Sequence, residues 1–218
     1  MAQKKTAVMI YPFCSLQEIT CLTSCLALWY DREMDVFAST KEIVRSEDGF
    51  QLVANKTFDE FVADDYDCLI LPGILNMMPA LFDAENIAFL SRLRDTDIVI
   101  AAICSAPLLL AKAGLLTDRR FCCSVYAEML AYFDFVPKQN VVYAPTHVDG
   151  NIVTAVGFAF REFAVQVMRA LGLACEDDIL QGVNQAYVPK QYAEEELIHR
   201  MDEEDFRFFL EEYNKYAL

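Results

Sequence analysis

The sequence predicts an α/β sandwich built around a mostly parallel sheet. Short apolar runs alternate along the chain with segments whose apolar residues recur at three- and four-residue steps. One run, "DIVIAAIC" at 97–104, is apolar without alternation, as a strand covered on both faces should be. A length of 218 residues with 55% apolar residues suits one domain with a sizeable core. Only seven glycines and seven prolines are present, which leaves little material for long linkers.

The elements follow in order. "TAVMIYP" (6–12) reads as a buried first strand. "SLQEITCLTSCLALWY" (15–30) reads as a helix, with Ile19, Leu22, Leu26 and Trp29 at helical steps. Ser15 with Glu18 three residues on gives that helix a capping-box start. "MDVFAS" (34–39) is a strand, and 42–55 holds two short strands around the turn signal Asp48-Gly49. "DCLIL" (67–71) is a strand closed by Pro72-Gly73, and 86–94 is an amphipathic helix. The strand 97–104 leads at once into a helix over 107–116, with Gly114 as its stop. Strands are expected at 140–144 and 151–156 around the turn Asp149-Gly150. A helix follows at 159–172, ended by Gly172. The tail carries two further amphipathic, helix-like stretches, 177–188 and 203–216. One domain over 1–218 is expected, with 173–218 as its helical C-terminal extension.

The formal net charge is −15. Such a surface repels phosphate backbones and anionic bilayers, so neither nucleic acid nor membrane is expected as a partner. A small-molecule substrate or an oxidant remains. "MAQKKTAVMIYPF" has too short an apolar run and no small-residue cleavage site, so it reads as a strand rather than a signal peptide. No apolar stretch approaches the ~20 residues of a membrane span. A cytoplasmic location is therefore expected, with the eight cysteines as reduced thiols. Adjacent Cys122 and Cys123 make no CxxC pair, and only two histidines exist, so neither a metal nor a cofactor is expected.

Cys104 differs from the other cysteines by position. In open α/β sheets ligands bind at the carboxyl ends of the strands. Cys104 ends one strand there, and Gly73 ends another. A sharp strand-to-helix turn exposes the residue on it, as in the nucleophile elbow of hydrolases. The helix beginning near Ser105 points free N–H groups at the thiol and favours thiolate. Pro107 suits the first turn of that helix, where a missing N–H costs nothing. The backbone N–H groups of Gly73 and Ser105 form a candidate pair for a developing oxyanion. The alternative is that Cys104 is a small hydrophobe in a buried strand.

"AAICSAP", "LPG" at 71–73, Glu18 after an apolar first strand, and "DGNIVTAVGFAFREFA" together resemble the ThiJ/PfpI superfamily, the DJ-one family with its class I glutamine amidotransferase-like fold. The likeness runs from about residue 5 to 172. It implies a flavodoxin-like three-layer sandwich, with helices on both faces of the sheet, and a homodimer. It also implies that Cys104 is the reactive centre and that Glu18 hydrogen-bonds it. A carboxyl beside a thiolate should have a raised pKa, because two negative charges resist sharing a site. Protonated Glu18 could then donate to the thiolate or to a sulfinate, or exchange a proton with substrate.

The sequence departs from the family at several points. Relatives proposed as peptidases or related to amidotransferases carry histidine directly after the cysteine, where Ser105 stands, so those activities are not expected. Other relatives supply a histidine from the segment after the elbow helix, where Ser124 falls in "RFCCSVYAEML". His147 and His199 read as surface residues. Ile74, in place of a second glycine, should make the pocket rim bulkier. Cys123 is a candidate resolving thiol for oxidised Cys104, with a buried strand position as the alternative. Cys21 and Cys25 read as core, and Cys14 as a loop residue open to solvent. Three functions follow: addition of Cys104 to a small reactive carbonyl (glyoxalase- or deglycase-like) or isonitrile hydration; a redox sensor in which Cys104 becomes sulfinate; or a ligand-binding domain that reuses the fold.

Overall fold

The computed structural model describes residues 4–177 and 190–217. The first half contains β1 (Lys5–Met9), α1 (Gln17–Tyr30), β2 (Met34–Ala38), β3 (Val44–Arg45), β4 (Gln51–Leu52), β5 (Lys56–Thr57) and β6 (Tyr66–Leu71). Then come α2 (Met78–Leu81), α3 (Ala84–Ser91), β7 (Val99–Ile103), α4 (Pro107–Lys112) and α5 (Ala127–Tyr132). The last part holds β8 (Thr146–Asp149), β9 (Ile152–Ala155), α6 (Phe160–Ala170), α7 (Glu194–Leu197) and α8 (Glu203–Tyr216).

Seven strands form one sheet in the order β5-β2-β1-β6-β7-β9-β8. All neighbours are parallel except β8 and β9. This is a flavodoxin-like sandwich: α1 and α6 pack together, and so do α2, α3 and α4. The chain leaves β1 toward β2, then returns to the other side of β1 with β6. That reversal creates the crevice at which ligands bind in such sheets.

The central strands are central because their side chains demand cover on both faces. β7 is buried at every residue, and β6 at all but one. Leu69, Ile70, Leu71, Ala101, Ala102 and Ile103 are wholly inaccessible. Each fully buried aliphatic side chain of this kind favours folding by about 1.5–3 kcal/mol. On α6, Phe163, Ala164, Val167 and Met168 form the inward stripe at helical spacing. α8 docks on α2 and α5 through Phe209, Tyr213 and Tyr132, with Tyr132 and Tyr213 edge to face at 5.1 Å.

Some sequence expectations need correction. The strand expected at 140–144 is a single bridge, Phe121 to Val141. The partner of β9 is instead β8, whose Asp149 pairs with Ile152. A hairpin closed at Gly150, held at φ 61°, pairs the residues that flank its turn, and those are 146–149. The helix expected over 107–116 ends at Lys112, and Gly114 follows in a left-handed turn at φ 78°. The helix-like stretch 177–188 lies, apart from Asp177, outside the described residues.

Ser15 does not cap α1. Its N–H is tied to Gly73 O at 2.8 Å, and the helix begins two residues later. The cap comes from elsewhere. The β3–β4 hairpin brings the Asp48 carboxylate to the Leu16 N–H at 2.7 Å and the Gln17 N–H at 3.4 Å. An anion at that end also meets the positive pole of the helix. Asp48→Ala should therefore lower stability by about 1 kcal/mol, the usual worth of a helix cap. Denaturant unfolding checks this; a loss of the same size in Asp48→Asn would assign the effect to charge rather than to the hydrogen bonds.

Candidate active site

β7 delivers Cys104 to the carboxyl edge of the sheet. Its N–H donates to Ala155 O at 2.8 Å, and its carbonyl accepts the Ser124 N–H at 2.8 Å. Between these anchors the residue sits at φ 64°. A left-handed backbone at a residue with a Cβ costs roughly 1–3 kcal/mol and persists only where neighbours enforce it. The turn swings the side chain out of the sheet plane, and Pro107 opens α4 directly after it.

Glu18, in the first turn of α1, meets this thiol. The two side chains lie side by side: a Cβ on Gly157 would meet both Glu18 Oε1 and Cys104 Sγ, and each group bears on the other's ionisation. Burial pushes the Glu18 carboxyl up from 4.5 to about 7, and the Glu47 and Asp48 carboxylates add to the rise. The Cys104 thiol and the Gly73 N–H act in the opposite direction. Even so, Glu18 Oε2 is buried and completes no hydrogen bond. Burial also holds the Cys104 thiol well above its ordinary value, with the Glu18 charge next in importance and the Ser105 N–H opposing. Burial and the carboxylate thus oppose the thiolate expected from the helix N-terminus, α4 having only six residues.

Two glycines make room for this pair. A Cβ on Gly73 would lie 1.8 Å from Glu18 Oε2 and 2.5 Å from Cys104 Cβ. A Cβ on Gly157 would lie 2.4 Å from Glu18 Oε1 and 3.2 Å from Cys104 Sγ. Gly157 belongs to the quoted "AVGFAF" but drew no attention in the sequence. The rule applied to β6 and β7, that function gathers at strand carboxyl ends, would have found it at the end of β9.

Of the expected oxyanion donors, the Gly73 N–H faces the Glu18 carboxyl and the Ser105 N–H faces the sulfur. Ser105 also carries a side-chain role. Its hydroxyl donates to Ile74 O and accepts the Ile74 N–H at 3.2 Å, which locks the Gly73 loop to the elbow. Ile74 itself is buried, so it does not form the rim; Leu75, 85% exposed, does. The Tyr11 hydroxyl, also buried, donates to Pro72 O and holds the other end of the same loop. Ser124 lies beside Cys104 through the backbone, but its hydroxyl accepts the Gly157 N–H at 2.7 Å.

The remaining candidates have other surroundings. Cys123 is packed in the core, where burial raises its thiol to about 12. Cys122 is buried against the Thr154 hydroxyl. Cys14 is buried, not open to solvent, because its backbone bridges to Ile74. Cys21 and Cys25 lie on α1, with Cys25 in the core and Cys21 packed against it. His147 and His199 are half-buried. His147 sits on β8, and His199 packs edge-on against Tyr126 at 6.3 Å. Among the described residues no hydrogen bond links either imidazole to Cys104 or Glu18, and no three His, Cys, Asp or Glu side chains are grouped to hold a metal ion. No described helix is long and apolar enough to cross a membrane.

A doubly wound sandwich that bends its sheet edge around a left-handed cysteine and a buried carboxyl belongs to the flavodoxin-like class of α/β proteins. Comparison narrows this: residues 4–170 match the DJ-1/PfpI family, and the chain belongs to it. DJ-1 protein homolog E of Arabidopsis thaliana is 26% identical over 174 residues, 74% of this chain and 42% of that protein. The match thus spans under half the length of the Arabidopsis relative. Protein dj-1beta of Drosophila melanogaster is 27% identical over 67% of this chain and 78% of its own. Relatives named isonitrile hydratase (Pseudomonas putida, 28% identical over 59% of this chain and 54% of that protein) and deglycase PfpI (Pyrococcus furiosus, 24% over 51% and 61%) also match. The crystal structure of a DJ-1 superfamily protein from Agrobacterium tumefaciens superposes with a TM-score of 0.72 over 82% of this chain and 95% of that one, at 24% identity.

The raised Glu18 pKa has a consequence for stability. Between pH 4.5 and about 7 the unfolded chain ionises Glu18 while the folded chain keeps it neutral. Stability from this group is full below pH 4.5 and falls as pH rises, by about 1.4 kcal/mol per unit, toward a total of about 3 kcal/mol. Glu18→Gln lacks this penalty. Its stability relative to wild type should therefore climb between pH 4.5 and 8 in denaturant titrations. A flat difference would mean that Glu18 titrates as an ordinary carboxyl.

Proposed function

We propose that the protein is a cysteine-dependent enzyme acting on a small molecule with an electrophilic carbon, a 2-oxoaldehyde first among them. The observation that carries this reading is the Glu18–Cys104 pair, packed together between Gly73 and Gly157, with the carboxyl raised to about 7 by burial. Ser105 and Ser124 stand where relatives have histidine, so the sequence left the cysteine without an obvious base. A carboxylate whose pKa is raised to about 7 is a base of suitable strength at neutral pH.

In this reading Cys104 Sγ adds to the aldehyde carbon while its proton passes to Glu18. The developing alkoxide takes hydrogen bonds from the Gly73 and Ser105 N–H groups and recovers that proton from Glu18. The Glu18 carboxylate next takes the proton from the hemithioacetal carbon, the hydroxyl proton passes to the neighbouring carbonyl oxygen, and Glu18 returns its proton to the neighbouring carbon, which leaves a 2-hydroxyacyl thioester on Cys104. Water hydrolyses the thioester to a 2-hydroxy acid and restores the thiol. Isonitrile hydration would use the same pair, with water adding across the isonitrile carbon and nitrogen to give a formamide. The Pseudomonas relative's name favours including that substrate class. The homodimer and cytoplasmic location expected from the family belong to this proposal. Leu28 and Trp29, exposed on α1, offer apolar surface for self-association.

The test is turnover of methylglyoxal and of an alkyl isonitrile. Cys104→Ala should abolish it, and Glu18→Gln should lower kcat by about 100-fold or more. Because the base form of Glu18 is required, kcat/KM should rise with pH through about 7. Equal turnover by wild type and Cys104→Ala would overturn the reading. If dilute peroxide converts Cys104 to sulfinate faster than it oxidises Cys21, and no substrate is consumed, the redox-sensor reading replaces it.

A further inference from the structure

The site described so far holds a nucleophile and a base but nothing that would choose a substrate. A cleft of about 380 Å³ opens beside it, between the segment after Gly73, the segment after Ser124 and α8. Four of the chain's eight methionines, Met77, Met78, Met129 and Met201, line it. Leu75, Tyr126 and Phe208 stand at its edge, 85%, 42% and 64% exposed. Exposed side chains of this size clustered around a concavity mark a binding surface. The volume lies in the range of small-molecule pockets, roughly 300–1,000 Å³, and the shape is concave rather than flat. Unbranched thioether chains let such a surface adapt to apolar ligands.

Two independent tethers connect the cleft to Cys104. Gly73 touches Cys104 so closely that a Cβ would meet it at 2.5 Å, and Leu75 is two residues farther along. The Ser124 N–H sits 2.8 Å from Cys104 O, and Tyr126 is two residues beyond. Two residues reach at most about 7 Å, so both walls begin within about 12 Å of the nucleophile. The Glu47 carboxylate takes the N–H of Leu75, a lining residue, at 2.8 Å, and Asp205 and Glu212 line the cleft. Those carboxylates oppose an anionic ligand.

We propose that this cleft binds the apolar group of the electrophile that Cys104 attacks, so that the substrate is an uncharged electrophile bearing an aromatic or branched hydrocarbon substituent. This rests on the reading of Cys104 as nucleophile, and the experiment separates the two. The uncharged aromatic ketone 6-propionyl-2-(dimethylamino)naphthalene is titrated by fluorescence into Cys104→Ala protein. The same titration is run with a Phe208→Asp change added at the exposed edge. Saturable binding, weakened at least tenfold by Phe208→Asp, is expected, with the anion 8-anilinonaphthalene-1-sulfonate binding at least tenfold more weakly. In protein retaining Cys104, kcat/KM for phenylglyoxal should exceed that for methylglyoxal at least tenfold, and Phe208→Asp should bring the ratio near one. Binding that is absent, or indifferent to Phe208→Asp, overturns the proposal even if methylglyoxal is consumed. Binding as expected with no turnover of either aldehyde upholds the cleft as a ligand site and overturns the role of Cys104. A wild-type dimer in sedimentation that Phe208→Asp dissociates would make the occupant a second copy of the chain, and would overturn the small-molecule assignment.

Discussion

Everything at the sheet edge depends on one close approach: backbone at Gly73 and Gly157 lies where no side chain could fit, and the Glu18 carboxyl fills the space. Three chain segments from the ends of β6, β7 and β9 converge there, and α1 lowers an acid between them. The left-handed turn at Cys104 supplies the fourth side. The buried hydroxyls of Tyr11 and Ser105 pin the 72–74 loop from both ends, so the gap cannot widen at little cost. The geometry is rigid because its hydrogen bonds run to backbone groups, which have no rotamers to relax into.

The same confinement sets the chemistry. A carboxyl placed where water cannot solvate it is a stronger base than an exposed one, and a thiol beside it is a weaker acid. The acidic hairpin tip adds to both effects: Glu47 raises both groups, and Asp48 raises Glu18. Asp48 serves two ends: it caps α1, which positions Glu18, and its charge makes Glu18 harder to ionise. One residue on a small hairpin outside the main sheet thereby couples helix placement to proton affinity.

Much of the architecture was legible because it rests on local pattern. The unbroken apolar run before Cys104 marks a central strand, and the helical step of Phe163, Val167 and its neighbours marks α6. The Pro72-Gly73 stop marks the second edge of the site. What was not legible depends on distant parts of the chain. Ser15 and Glu18 have the spacing of a capping box, yet the cap is Asp48, about thirty residues on and brought by a hairpin. Val141 has strand composition, but the turn at Gly150 selects the residues nearest to it. The pull of a helix N-terminus on Cys104 can be read from sequence, but the desolvation that opposes it cannot. Tyr11 and Gly157 went unnoticed because neither carries chemistry itself; each holds a place for a residue that does.

The Glu18–Cys104 pair and one wall of the cleft come from different stretches of chain. Glu18, Gly73, Cys104 and Gly157 all fall within the residues shared with the family, 4–170, whereas α8, which walls the cleft, lies past them. On the proposal that the cleft selects the substrate, a C-terminal segment exchanged between relatives would rebuild one of its walls while leaving the thiol's own surroundings intact, a natural seam for diversification and for protein engineering alike.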